Sequence, residues 1–270
     1  MLLTKHLSNI FSGVMDALAS PPGESHVEVG WNPKGHKQRG FDLQVEKVVH
    51  DYIEKNITET IALLSEESGE TVLGKGSPKY RLVLDPVDGS DNFARGIPIS
   101  GMAVAALPAD APLSVRNVEY AMVGDFTGGR CLLAQKGEGA FFRESRLSTS
   151  RTRDINSAFI SCELSHYYVQ APIATLLSRA AGVRSFGCAT AALRMVAEGW
   201  IDAHIDARDR LTAENFLAPY LLIREAGGVV TGMDGEELTE IADLQTGYSL
   251  LASSNMGLHE KILKLASDNF

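Results

Sequence analysis

The first stretch, MLLTKHLSNIFSGVMDAL, sets apolar side chains at helical spacing and breaks them with Lys5, His6, Ser8, Asn9, Ser12 and Asp16. That pattern predicts an amphipathic helix whose apolar face meets the core or a second copy of the chain. A loop rich in Gly and Pro follows over 20–40. In FDLQVEKVVHDYIEKN, Val45, Val48, Val49 and Ile53 share one face, so a second helix is predicted with Asp42 near its start. TETIALLSEESGE then ends an apolar run in an acidic turn, and YRLVLD reads as a strand that runs directly into a carboxylate. SGMAVAALP and VEYAMVGDF read as further strands, and GRCLLAQKGEGAFFRE as a hairpin.

Beyond a soft boundary near residue 150, inside RLSTSRTRDIN, the periods alternate. SAFISCEL, VRSFG and WIDAHID have strand character, and APIATLLSRAA, CATAALRMVAEG and TAENFLAPYLLIREAGG have helical character. Such a βαβαβα series points to a layered α/β half. Gly227 and Gly228 are placed to close the last of these helices, VVTGMDG gives a strand and turn, and YSLLASSNMGLHEKILKLA one more strand and helix. The expected organisation is an α+β half over 1–150 and an α/β half over 151–270, packed as one compact unit.

Composition narrows the function. A net charge of −9 argues against nucleic acid or an anionic membrane as partner, because both need a basic field. It leaves a phosphate substrate open, since a bound divalent ion reverses the local sign of a carboxylate cluster. The three cysteines are an odd number without a CxxC pair, which suggests neither a disulfide framework nor a zinc knuckle and fits a cytoplasmic location. No apolar window is long enough to span a bilayer. The histidines show no HxH or HExxH spacing, and no GxxxxGK[ST] loop is present.

The candidate chemistry sits in RLVLDPVDGSDNF. Asp85 and Asp88 offer hard oxygen ligands suited to Mg²⁺, and Gly89 and Ser90 open a helix whose N–H groups can face a phosphate. The same residues also suit a plain turn, since Asp, Pro and Gly are common there. LLSEESGE supplies a second acidic cluster after an apolar run; Glu67 and Glu70 read as solvated. Glu66 completes a cation site if the two strand ends lie side by side.

Taken together, FDLQVEKVV, SEES, LDPVDGSDNF, AQKGEGAFF, RSFGCATAALRMVAEGWIDAHID, REAGGVV and LLASSN resemble, in order and spacing, the inositol monophosphatase superfamily of Mg²⁺-dependent, lithium-sensitive phosphatases. The archaeal-type inositol monophosphatase and fructose-1,6-bisphosphatase branch is the nearest in pattern, through HIDARDR. The resemblance implies a layered αβαβα fold with the metal site in the first half, substrate recognition in the second, and a homodimer. It implies two or three Mg²⁺ ions, with Mn²⁺ as a substitute. Glu66, Asp85, the Val87 carbonyl and Ser90 would surround the first ion, and Asp85 and Asp88 would help hold a second. Gly89, Ser90, Cys188 and Ala189 would meet the phosphate. Ser90 with Asp42 would orient or deprotonate the attacking water, Asp206 would grip a sugar or inositol hydroxyl, and Arg208 would either reach a second phosphate or pair with a neighbouring aspartate. Cys188 reads as a small buried residue, not a nucleophile.

One position departs from the pattern. Ten residues before Glu225, where the family carries a metal aspartate, stands Asn215. An amide oxygen brings no negative charge, so the second ion is expected to bind more weakly. Glu214 points roughly 100° away on a regular helix. The expected function is hydrolysis of a small polyol or sugar phosphate, inositol 1-phosphate or fructose 1,6-bisphosphate, with a nucleotide such as 3′-phosphoadenosine 5′-phosphate or NADP behind them. The alternative is a weakened member that binds a phosphorylated ligand as a regulator.

Overall fold

The computed structural model describes residues 2–19, 27–35, 37–166 and 168–267. The first helix, α1 (Leu2–Ala19), buries Leu7, Ile10, Phe11 and Val14, a stripe of the spacing that one helix face requires. It packs against α2 (Gly40–Asn56), whose buried face is Phe41, Val45, Val49 and Ile53. Residues 20–26 and 36 of the loop expected between them lie outside the described residues. The remainder of that loop is not plain coil. β1 (Glu28–Trp31) and β2 (Lys37–Arg39) pair as an antiparallel ribbon with Trp31 opposite Lys37. Val27, Val29 and Trp31 carry the period-2 alternation of a strand, but all three stay exposed, so no buried face marks it as one.

Eight strands follow: β3 (Ile61–Ser65), β4 (Gly69–Leu73), β5 (Tyr80–Asp88), β6 (Gly101–Pro108), β7 (Tyr120–Asp125), β8 (Arg130–Gln135), β9 (Gly139–Phe142) and β10 (Ser145–Arg146). They form one sheet in the order β10-β9-β8-β7-β6-β5-β3-β4. Only β3 and β5 run parallel within it. Leu82 and Leu84 of β5 face the core shared with α1 and α2, while Val83 faces a core on the opposite side. A strand buried on both faces reads as an unbroken apolar run, which is why YRLVLD shows no alternation.

The second sheet contains β11 (Phe159–Cys162), β12 (Gly182–Arg184), β13 (Ala203–Leu211), β14 (Val229–Thr231) and β15 (Tyr248–Ser253), in the order β12-β11-β13-β15-β14. β11 is parallel to β12 and β13, and β15 is antiparallel to β13 and β14. The chain's short third helix, α3 (Ser90–Ala94), follows β5; α4 (Ala171–Arg179), α5 (Ala189–Ala197), α6 (Ala213–Glu225) and α7 (Met256–Ser267) belong to the second half. Ile173 and Leu176 of α4 and Leu258 and Ile262 of α7 pack with Ile160, Ile205 and Leu251 on one face of the second sheet. Leu193 and Val196 of α5 and Phe216 and Leu217 of α6 fill the space between its other face and the first sheet. The layers are therefore α1/α2, sheet, α5/α6, sheet, α4/α7, the αβαβα arrangement.

The C-terminus of α6 shows how sequence sets an element's end. Gly227 takes φ +98°, its N–H bonds Arg224 O, and the Gly228 N–H reaches back to Ile223 O at 2.8 Å. This double closure needs a residue tolerant of the left-handed region, and Gly227 supplies it.

Candidate active site

The parallel register of β3 and β5 builds the site. Ser65 lies opposite Leu84, so the next residues, Glu66 and Asp85, leave adjacent strands side by side, and the Glu66 N–H donates to Leu84 O at 3.3 Å. The condition under which the sequence made Glu66 more than a solvated residue is met. The pairing of β5 with β6 then shifts between Asp85 and Asp88, and the chain turns at Gly89 with φ +77°. A Cβ at Gly89 would stand 3.0 Å from Ile99 O and 3.1 Å from Cys188 Cβ, so glycine is required by both conformation and space. Ser90 opens α3, which is only five residues long.

Asp85 is 1% exposed. Its Oδ2 accepts a bond of 2.6 Å from the Asn215 amide, whereas its Oδ1 has no partner. Burial first, then the charges of Asp88, Glu66 and Glu214, push its carboxyl well above the ordinary range, against the pull of Lys34. Asp88 Oδ2 accepts the Thr190 N–H in the first turn of α5, and Cys188 Sγ lies 3.6 Å from Asp88 O. Burial raises the Asp88 carboxyl and the Thr190 bonds oppose it. Ser90 Oγ donates to Val87 O at 2.7 Å and stands 3.4 Å from Asp42 Oδ1. Asp42 is anchored by the Arg39 N–H at 2.9 Å, and burial pushes its carboxyl up to about 7. Cys188 is buried and its thiol is raised by that burial, which agrees with a packing role.

Of these groups Asp88, Gly89, Ser90, Cys188 and Asn215 border an open cavity of about 570 Å³, whereas Asp85 and Asp42 are not part of its lining. Glu66, Glu67, Asp88, Ser90 and Asn215 line one side; Glu163, Ser165, His166, Arg208 and Arg210 line the other. Asp206 is not part of that lining. It is fully buried, and Arg208 Nε and Nη2 hold both its oxygens at 2.8 and 2.7 Å. The pairing of Arg208 with an aspartate, one of the two options open from sequence, is therefore present. Asp206 aims the guanidinium, which also donates to Ser165 O at 3.2 Å and borders the cavity.

Some participants had no signal in the sequence. Lys34, in the turn of the β1–β2 ribbon, donates to Thr212 Oγ1 at 2.9 Å, lies 4.0 Å from Glu66 Oε1 and contacts Glu214 Oε1 closely. Glu214 Oε1 contacts Lys34 and the Thr212 hydroxyl, which also lies 3.1 Å from Asn215 Oδ1, and Glu214 Oε2 is buried and without a partner. Asn32 Nδ2 approaches Glu66 Oε1 at 3.3 Å. A loop of mixed Gly, Pro and polar residues carries no period from which such contacts can be read.

Among the described residues, no three His, Cys, Asp or Glu side chains are gathered closely enough to hold a metal ion by themselves. What is present fits a hard cation that completes its shell elsewhere: an orphaned buried oxygen on Asp85, the neighbouring Glu66 carboxylate, and the Val87 carbonyl beside Ser90 Oγ. Mg²⁺ is usually held in this way, by one or two carboxylates plus waters and substrate oxygens.

The inositol monophosphatase family matches residues 24–269. The chain belongs to that family. It is 31% identical over 211 residues to the fructose-1,6-bisphosphatase/inositol-1-monophosphatase of Methanothermobacter thermautotrophicus, covering 76% of this chain and 74% of that one. A solved inositol monophosphatase–fructose 1,6-bisphosphatase shares its fold with a TM-score of 0.81 at 24% identity, over 97% of this chain and 98% of that one. A solved IMPase/NADP phosphatase complexed with NADP and Ca²⁺ superposes with a TM-score of 0.79 at 18% identity, over 99% and 96% of the two chains. The chain is thus a phosphatase of a metal-dependent family. Among its described residues no helix is long and apolar enough to cross a membrane.

Proposed function

We propose that the protein is a Mg²⁺-dependent phosphomonoester hydrolase acting on a small sugar or polyol phosphate, with inositol 1-phosphate and fructose 1,6-bisphosphate foremost. The observation that carries this reading is the partnerless, buried Asp85 Oδ1 next to Glu66 at two parallel strand ends. A native fold leaves such an oxygen unbonded at a cost of about 1–3 kcal/mol, which a bound cation removes. Glu66, Asp85, the Val87 carbonyl and Ser90 Oγ would hold the first ion, with Asp88 and the Asn215 amide beside a second. When bound, the ions supply Lewis acidity and a water of lowered pKa.

The chain's own groups perform the rest. Asp42, adjacent to Ser90 Oγ, takes up the proton that Ser90 relays from the attacking water. The N–H groups of Gly89, Ser90 and Ala189 face the phosphoryl oxygens, whose charge grows in the transition state. On the opposite wall Arg208, held by Asp206, meets a second phosphate or a ring hydroxyl, which favours a bisphosphate.

A panel of inositol 1-phosphate, fructose 1,6-bisphosphate, 3′-phosphoadenosine 5′-phosphate and NADP, assayed for phosphate release with and without Mg²⁺, tests the reading. Metal-dependent release from a sugar or polyol phosphate is expected; release from none sinks it. The second reading, a ligand-binding regulator, draws on the Asn215 amide that donates to Asp85 where the family has an aspartate. It predicts no turnover until Asn215→Asp restores it.

A further inference from the structure

Two buried carboxylates near the strand ends each keep an oxygen without a partner, Asp85 Oδ1 and Glu214 Oε2. They differ in what holds their other oxygen. Asp85 has the neutral Asn215 amide; Glu214 has the Thr212 hydroxyl and the Lys34 ammonium, which is brought in by the ribbon turn with its side chain only 7% exposed. The same ammonium lies 4.0 Å from Glu66 Oε1 and donates to Thr212 Oγ1. It sits where charge attraction from Glu66 and Glu214 would otherwise draw a free cation, and Glu214 is one helix position from Asn215, the residue that lacks the negative charge.

We propose that Lys34 is a tethered cation of the metal centre: seated on Glu214, it leaves room for one tightly held divalent ion and admits a second at that carboxylate only by moving away. This rests on the metal-centre part of the reading above and not on its substrate. The ammonium has a destination. Beside Lys34 and Glu66 lies a separate cavity of about 540 Å³, lined also by Glu70, Asp243, Gln245 and Arg81. Turning into it brings the ammonium toward Glu70 and Asp243, the carboxylates that would replace Glu214, with the like charge of Arg81 opposing it on the same lining. Glu214 then offers both oxygens to the incoming ion, a gain in negative charge that offsets the missing aspartate at Asn215.

The test is calorimetric titration of Mn²⁺ into the metal-stripped full chain without substrate, for wild type, Lys34→Met, Lys34→Arg and Lys34→Met/Glu214→Gln. Wild type and Lys34→Arg are expected to show one tight site per chain. Lys34→Met should show a second, with affinity raised by at least about tenfold because a positive charge a few ångströms away is gone. The double variant should return to one. An isotherm for Lys34→Met that matches wild type overturns the proposal, as does a second site that persists in the double variant. Should Lys34→Met fail to fold without metal, lysine methylation read by mass spectrometry on wild type decides. Lys34 labelling should be slow in the stripped protein and should rise several-fold at Mn²⁺ concentrations beyond the first site; labelling indifferent to Mn²⁺ overturns the idea. Absence of Mn²⁺ heat in every variant would overturn the metal centre itself. Failure to hydrolyse any phosphate leaves all these readings unchanged.

Discussion

On β5, beside the end of β3, Asp85 is 1% exposed and keeps one oxygen without a partner; on β13, Asp206 is 0% exposed and both its oxygens are held by Arg208. The two aspartates are equally buried, yet burial and like charges raise the first well above the ordinary carboxylate range, while the second has a guanidinium at bonding distance. A buried charge with a complete set of partners is a structural fixture that positions a neighbour. A buried charge with a missing partner marks where something from outside the chain belongs.

That contrast is sharpest at Asp85 itself. Asp85→Asn should lower metal-dependent phosphate release by about 10³-fold or more, because the ion and its water lose their principal ligand. The same variant should not lower the melting temperature of the metal-free protein at neutral pH, since it removes a carboxyl that burial already disfavours as an anion. Paired turnover and thermal-melt measurements check both; a metal-free protein clearly destabilised by the amide would show that Asp85 is a structural fixture after all.

Arg208→Ala should give the opposite profile. It leaves Asp206 buried without its partner, a loss of about 3 kcal/mol in urea unfolding that is the same with or without Mg²⁺. Adding Asp206→Ala should recover part of that loss, so the two changes are far from additive. Turnover should suffer through KM more than kcat if Arg208 binds a remote part of the substrate. Losses that simply add in the double variant would mean that the pair contributes little as a unit.

Asp42, on α2 beside Ser90, is the next buried carboxyl near Asp85, and its pH dependence follows. Its folded pKa of about 7 lies above the ordinary 3.8, so the folded state binds the proton more tightly. Stability from this group is fully present below about pH 4 and is lost as pH rises toward about 7. The metal-free protein should therefore lose on the order of 2 kcal/mol across that window. Asp42→Asn should flatten the profile, and saturating Mg²⁺ should shift it to lower pH. A melting temperature independent of pH between 4 and 7 in the stripped wild type would contradict the burial of an ionisable Asp42.

Most helices and strands were legible from their own hydrophobic patterns, and the layered arrangement was legible through the resemblance to the inositol monophosphatase superfamily. The acidic ends of β3 and β5 were legible as candidates; their side-by-side placement was not, because it depends on a parallel register fixed by strands far apart in sequence. The Asp206–Arg208 pair was visible only as one of two options, since residues two apart on a strand can share partners or diverge at a bulge. Lys34 was invisible. Its contacts with Thr212 and Glu214 join segments 178 and 180 residues apart through a turn whose composition says only that it bends.

Glu225 offers the mildest version of the contrast, far from the cleft. It ends α6 and accepts the Gly137 N–H on Oε1 at 2.7 Å and the Gly139 N–H on Oε2 at 2.8 Å, which ties the turn between β8 and β9 to the helix. Both oxygens are satisfied, so the comparison assigns it to the Asp206 type: a carboxylate that positions backbone and asks for no ion. Glu225→Ala should lower stability by about 1–2 kcal/mol, since two N–H donors at the surface can turn to water. Glu225→Gln should cost less, because one amide oxygen still accepts. Neither should change the Mg²⁺ concentration at half-maximal turnover. A shift in that metal dependence for Glu225→Gln would break the rule that satisfied carboxylates are indifferent to the ion, because nothing in the contacts of Glu225 reaches the cleft.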